Sequence, residues 1–113
     1  MRQMTGKKSI SFAKAVYIEG SAAIVGEKEK DGPLGEYFSH TLSDPMCGQE
    51  SWEEGESELQ LATAKLAMQK ANVRPEQIRM IFAGDLLAQS IASSFGLVDL
   101  NCPLYGLFGA CST

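Results

Sequence analysis

Between residues 50 and 71, apolar and small side chains recur at three- and four-residue steps. Trp52, Gly55, Leu59, Ala62 and Leu66 form the stripe, and Leu61, Ala64 and Met68 widen it. That period belongs to an α-helix and predicts an amphipathic one with a single buried face. Ser51 stands where a helix cap is expected, and Glu53 and Glu54 fall in the first turn, where the helix dipole favours anions. Asn72 and Pro75 are expected to end the helix.

The rest of the pattern is shorter in range. Residues 9–18 (SISFAKAVYI) mix small, β-branched and aromatic residues and predict a first strand, with a bend at Gly20 and the small residues after it. Residues 26–35 alternate in charge sign and contain Asp31-Gly32-Pro33, which is turn chemistry; they read as a solvated loop or as an ordered loop over a site. Residues 36–49 show no period, and Pro45 opposes a helix there, so a long irregular connection is expected. Residues 78–83 (IRMIFA) predict a short strand ending at Gly84-Asp85, residues 86–95 (LLAQSIASSF) a second helix stopped by Gly96, and residues 104–108 a buried third strand. Strand, helix, strand, helix, strand in that order indicates an α/β fold with a parallel sheet and crossover helices.

With 113 residues and no repeat, linker or low-complexity tract, one domain is expected. The net charge of −4 disfavours a nucleic-acid partner, because phosphate binding needs a basic surface. No apolar run approaches the ~20 residues of a spanning helix. Met1 to Lys8 is basic, but no apolar signal core follows it. The chain therefore reads as cytosolic, or as peripheral to a membrane through partners. Cys47, Cys102 and Cys111 make no CxxC pair, and the single His40 completes no zinc set, so no metal or cofactor is expected and the thiols read as free.

Candidate chemistry concentrates at the end of the chain, where strand residues run into Gly109-Ala110-Cys111-Ser112-Thr113. Glycine and alanine allow a tight turn that leaves the next side chain accessible. A cysteine on a strand-to-helix turn faces a site from a helix N-terminus, where backbone N–H groups favour the thiolate. The alternative is a small buried hydrophobe, the commoner role of cysteine in an apolar stretch. Gly84-Asp85 also stands at the carboxyl end of a strand, where α/β proteins bind ligands, although Gly-Asp is more often an ordinary turn. His40 lies in the irregular segment, where a surface or capping role is the usual one. Glycine-rich phosphate-binding patterns do not occur.

Glu29-Lys30-Asp31-Gly32-Pro33-Leu34-Gly35, AGDLL at 83–87 and LFGACST at 107–113 together resemble the stage V sporulation protein AD family of spore-forming Firmicutes. The stretch around Met46-Cys47, Gln49 and Trp52-Glu53 resembles it as well. The resemblance implies a thiolase-like fold: an αβαβα layered architecture of two related halves, dimeric when full length, with this chain supplying the start of the first βαβαβ half. Residues 1–113 are then the N-terminal part of a thiolase-like domain, ending just after Cys111 at the thiolase nucleophile position. Family members are considerably longer, and the catalytic histidines and second cysteine of thiolases belong to the remainder. The resemblance further implies a soluble, peripheral component of the SpoVA membrane assembly at the forespore inner membrane. There it would bind dipicolinic acid, with calcium, for uptake into the spore and release at germination. The alternative is acyl transfer of the thiolase or ketoacyl-synthase type on Cys111, which requires a general base that no histidine after Cys111 supplies.

Overall fold

The computed structural model describes residues 2–86 and 90–109. Strands β1 (Arg2–Thr5) and β2 (Ser9–Phe12) form an antiparallel hairpin with Met4 opposite Ile10 and Thr5 opposite Ser9. The first predicted strand thus ends at Phe12 rather than at residue 18, and residues 13–23 have no regular structure. Only residues 2–5 pair with it, and β propensity without a ladder partner does not hold a strand. Val16, Tyr17 and Ile18 are exposed accordingly.

Strand β3 (Ile24–Val25) runs parallel to β4 (His40–Thr41), and Leu42 N–H donates to the Val25 carbonyl at 2.8 Å beyond the pair. Between them, the predicted loop contains one helical turn, α1 (Glu27–Lys30), and a 3-10 turn at Gly35–Tyr37. Residues 36–49 are therefore less irregular than expected, since they include β4.

The long helix α2 (Trp52–Ala71) follows its sequence pattern closely. Ser51 Oγ accepts the Glu54 N–H at 3.2 Å and donates to the Glu54 carboxylate at 3.1 Å, a reciprocal cap of the first turn. At the other end Asn72 takes a left-handed φ of 54°, and Val73 N–H returns to the Met68 carbonyl at 2.9 Å. The predicted buried face is real but shallow: Gly55 is buried, Leu59, Ala62 and Leu66 are half-buried, and Trp52 is exposed. Trp52 sits in the first turn, on the rim of a groove with Pro45, Leu59 and Leu86.

A 3-10 turn at Pro75–Gln77 leads to β5 (Ile81–Ala83), then α3 (Ile91–Gly96), a 3-10 turn at Val98–Leu100 and β6 (Leu104–Gly106). Strands β5 and β6 are parallel, Ile81 opposite Leu104 and Ala83 opposite Gly106, so this part is a strand–helix–strand crossover. Both strands are shorter than predicted. Of the second helix predicted over 86–95, residues 87–89 lie outside the described residues, Leu86 and Ser90 are not helical, and α3 includes the Gly96 expected to stop it. Among the described residues the strands make three separate pairs rather than one three-stranded parallel sheet. The observed order is an alternating β/α one.

Among the described residues the buried apolar ones, Ala92, Leu97 and Leu100, gather on and just after α3. Its packing against α2 needs a glycine. A Cβ on Gly96 would lie 2.5 Å from the Ser57 carbonyl oxygen of α2, inside any tolerable contact with backbone. Gly96→Ala is therefore expected to destabilise the chain by about 1–3 kcal/mol. Gly26→Ala, where the nearest atom is 3.8 Å from the added carbon, should leave stability nearly unchanged. Urea unfolding midpoints of the two variants check the contrast; equal midpoints would mean that the helices do not approach at Gly96.

Candidate functional site

The parallel β5–β6 pair brings two turns to one end. Gly84-Asp85 leaves β5 and Leu107-Phe108-Gly109 leaves β6, joined by the Leu107 N–H to the Ala83 carbonyl at 2.7 Å. Gly109 has a φ of 68°, a left-handed conformation that glycine adopts freely. This is the strand end at which ligands of α/β proteins usually bind. Cys111, the candidate nucleophile, lies outside the described residues, as do Ala110, Ser112 and Thr113.

Asp85 is the best-defined polar residue at this end. It is 3% exposed, and its carboxylate accepts the Ser90 N–H at 2.9 Å, the Ser93 N–H at 3.0 Å and the Ser93 hydroxyl at 2.8 Å. Burying a carboxylate without donors is costly, and these bonds offset that cost. They also tie down the amides at the start of α3, which explains why the helix begins there. Ser90 is held at a φ of 77°, unusual for a residue with a Cβ. Its hydroxyl lies 3.0 Å from where a Cβ on Gly106 would stand, so a side chain at the carboxyl end of β6 would press on Ser90. Asp85 thus joins β5 to α3, and the amides it occupies are committed. Sequence reasoning singled out Asp85 but missed Ser90 and Ser93, whose partnership depends on a tertiary turn.

A second polar constellation precedes α2. The Asp44 carboxylate accepts the Met46 N–H at 3.0 Å and the Gly48 N–H at 2.6 Å. These backbone hydrogen bonds hold its pKa below the usual carboxylate value. The contribution of the charged form to the turn is complete above the unfolded carboxylate's pKa and fades as pH falls through the lowered folded value. Cys47 (φ 54°) and Gly48 (φ 76°) complete the turn, and a Cβ on Gly55 would lie 2.9 Å from the Met46 carbonyl oxygen. The turn is thereby packed on α2. Partial burial raises the Cys47 thiol pKa, and the Asp44 and Glu58 charges raise it further. Cys102 donates its thiol to the Ile78 carbonyl at 3.4 Å and is half-buried, a structural role.

His40 stands in β4, exposed, on a groove shared with Ile24, Ser39, Ala62, Lys65 and Leu66. That lining holds no carboxylate to orient the imidazole. A groove of about 480 Å³ between α2 and α3 is lined by Glu53, Glu54, Glu58 and Asp99 beside Leu61 and Phe95. Its charge disfavours anions, and it lies on the helices rather than at the strand ends. Among the described residues no group of three or more His, Cys, Asp or Glu side chains could hold a metal ion. None of the described helices is long and apolar enough to cross a membrane.

Asp85→Ala leaves buried donors unpaired and is expected to cost at least ~2 kcal/mol, with Asp85→Asn costing less because one acceptor remains. Denaturant unfolding of both variants checks this, and an unchanged midpoint in Asp85→Ala would remove the carboxylate from its role. For Cys47, iodoacetamide should react slowly at neutral pH. Asp44→Asn removes a nearby negative charge, so the apparent thiol pKa should fall and alkylation speed up. A rate profile against pH for Cys47, followed by peptide mass spectrometry, reads this directly.

The profile of the family described as Stage V sporulation protein AD (SpoVAD) matches residues 6–113. The chain is also similar to Stage V sporulation protein AD of Bacillus subtilis (strain 168), with 37% identity over 111 residues, covering 98% of this chain and 33% of that protein. It thus spans about a third of the length of this curated relative. A match over nearly every residue, including both strand-end turns, leads to one assignment: the chain belongs to the stage V sporulation protein AD family.

Proposed function

We propose that the chain is the N-terminal part of a sporulation protein that binds dipicolinic acid within the SpoVA system. The observation that carries this reading is the family match across residues 6–113. In this reading residues 1–113 begin a thiolase-like αβαβα domain, which is dimeric at full length and peripheral to the forespore membrane through SpoVA partners. The β5–α3–β6 crossover supports it, because its turns converge where α/β proteins bind small molecules. Cys111 then occupies the thiolase nucleophile position. The role assigned to the protein is transfer of dipicolinate, with calcium, into the spore and out at germination, without covalent catalysis.

Calorimetric titration tests the reading. Dipicolinic acid, with and without calcium, is titrated into this chain and into a polypeptide of the relative's full length. Saturable heat with the full-length polypeptide is expected. Absence of heat there, together with acyl transfer from a thioester onto Cys111, would replace the binding role with an acyltransferase.

A further inference from the structure

The β1–β2 hairpin separates its side chains by character. Met4 opposes Ile10, and Phe12 lies two residues beyond Ile10 on the same face, since strand side chains alternate. Thr5, Ser9 and Ser11 take the other face. Met4 is 61% exposed, Ile10 50% and Phe12 61%. Among the described residues no helix or other strand packs substantially against the hairpin.

Charge is divided just as sharply along the chain. Arg2, Lys7, Lys8 and Lys14 precede the first acid, Glu19, and all 14 acidic residues lie from Glu19 onward with the remaining six basic ones. Lys7 and Lys8 sit, exposed, in the hairpin turn that joins the two strands. We propose that this hairpin docks the protein onto an anionic lipid surface, Met4, Ile10 and Phe12 entering the interface and Lys7, Lys8 and Lys14 meeting the headgroups. An apolar face flanked by lysines is the pattern of interfacial binding segments. The lysines select an anionic bilayer over a neutral one. The acidic remainder is repelled by the same surface, so only the hairpin end approaches it. Val16, Tyr17 and Ile18, exposed beside Lys14, extend the apolar contact.

The test is co-sedimentation of the full 113-residue chain with vesicles of phosphatidylcholine alone and of phosphatidylcholine mixed with phosphatidylglycerol. Binding to the anionic vesicles only is expected, weakening as salt is raised. Each lysine removed should lower partitioning about fivefold, so Lys7→Gln with Lys8→Gln should lower it roughly twenty-five-fold. Phe12→Ser should weaken it as well, with far-UV circular dichroism unchanged in both variants. Equal binding to both vesicle types, binding indifferent to the lysine changes, or no binding to either would overturn the proposal. Self-association that Phe12→Ser abolishes, without vesicle binding, would overturn it in favour of a protein interface. No dipicolinate enters the assay, so its outcome is independent of the binding role proposed above.

Discussion

A single buried carboxylate organises the C-terminal half of the described chain. Asp85 leaves β5 and takes the amides of Ser90 and Ser93, so a six-residue helix that would be marginal alone acquires a fixed start. That start positions Ser90 under Gly106 of β6, and it aims α3 so that Gly96 meets the Ser57 backbone of α2. Ser57 in turn donates its hydroxyl to the Ala92 carbonyl at 3.0 Å. Strand, helix and helix therefore share one arrangement, and the small apolar core of Ala92, Leu97 and Leu100 closes around it. The two bonds to Ser93 are buried, where a carboxylate acceptor makes hydrogen bonds stronger than neutral ones.

Legibility followed the range of the interactions. Helix α2 could be read from its pattern because its period, its Ser51 cap and its Asn72 terminus are all local. The start of α3 could not, since LLAQSIASSF has a helical composition throughout and only the Asp85 carboxylate selects Ile91 as the first helical residue. Strand β2 was legible but overextended to Ile18, because AKAVYI has strand-forming residues and no strand beside it. Strand β1 was missed, since RQMT carries no pattern of its own and exists through its pairing with SISF. Gly84-Asp85 was correctly placed at a strand end, and its weighting towards a structural turn agrees with the bonds Asp85 makes. The Asp44 turn had a usable signal: an Asp-Pro step with glycine four residues after the acid, which suits a carboxylate accepting the amides that follow.

The two constellations share a physical device with opposite consequences for reactivity. Asp44 and Asp85 each spend a carboxylate on nearby backbone amides, and each thereby shapes a turn packed against a helix. Around Cys47 this device suppresses the thiolate, because the Asp44 charge adds to partial burial. The motif resemblance at Met46-Cys47 thus marks a packed turn, in which Gly55 admits the Met46 carbonyl, rather than a nucleophile.

The same accounting constrains how a dicarboxylate such as dipicolinate would be held. Its charge requires donors or cations not already in use. Of the amides at the start of α3, those of Ser90 and Ser93 are taken by Asp85, so that helix terminus offers fewer donors to a second anion. The groove between α2 and α3 presents Glu53, Glu54, Glu58 and Asp99, which repel a dianion at the distances such a groove allows. Under the proposed ligand, two routes remain. Uncommitted donors can converge on the carboxyl ends of β5 and β6, or a calcium ion bound to the ligand can cancel its charge before it meets an acidic surface. The routes differ in sign: with donors alone, calcium competes for the carboxylates and weakens binding, whereas on an acidic surface it is what makes binding favourable.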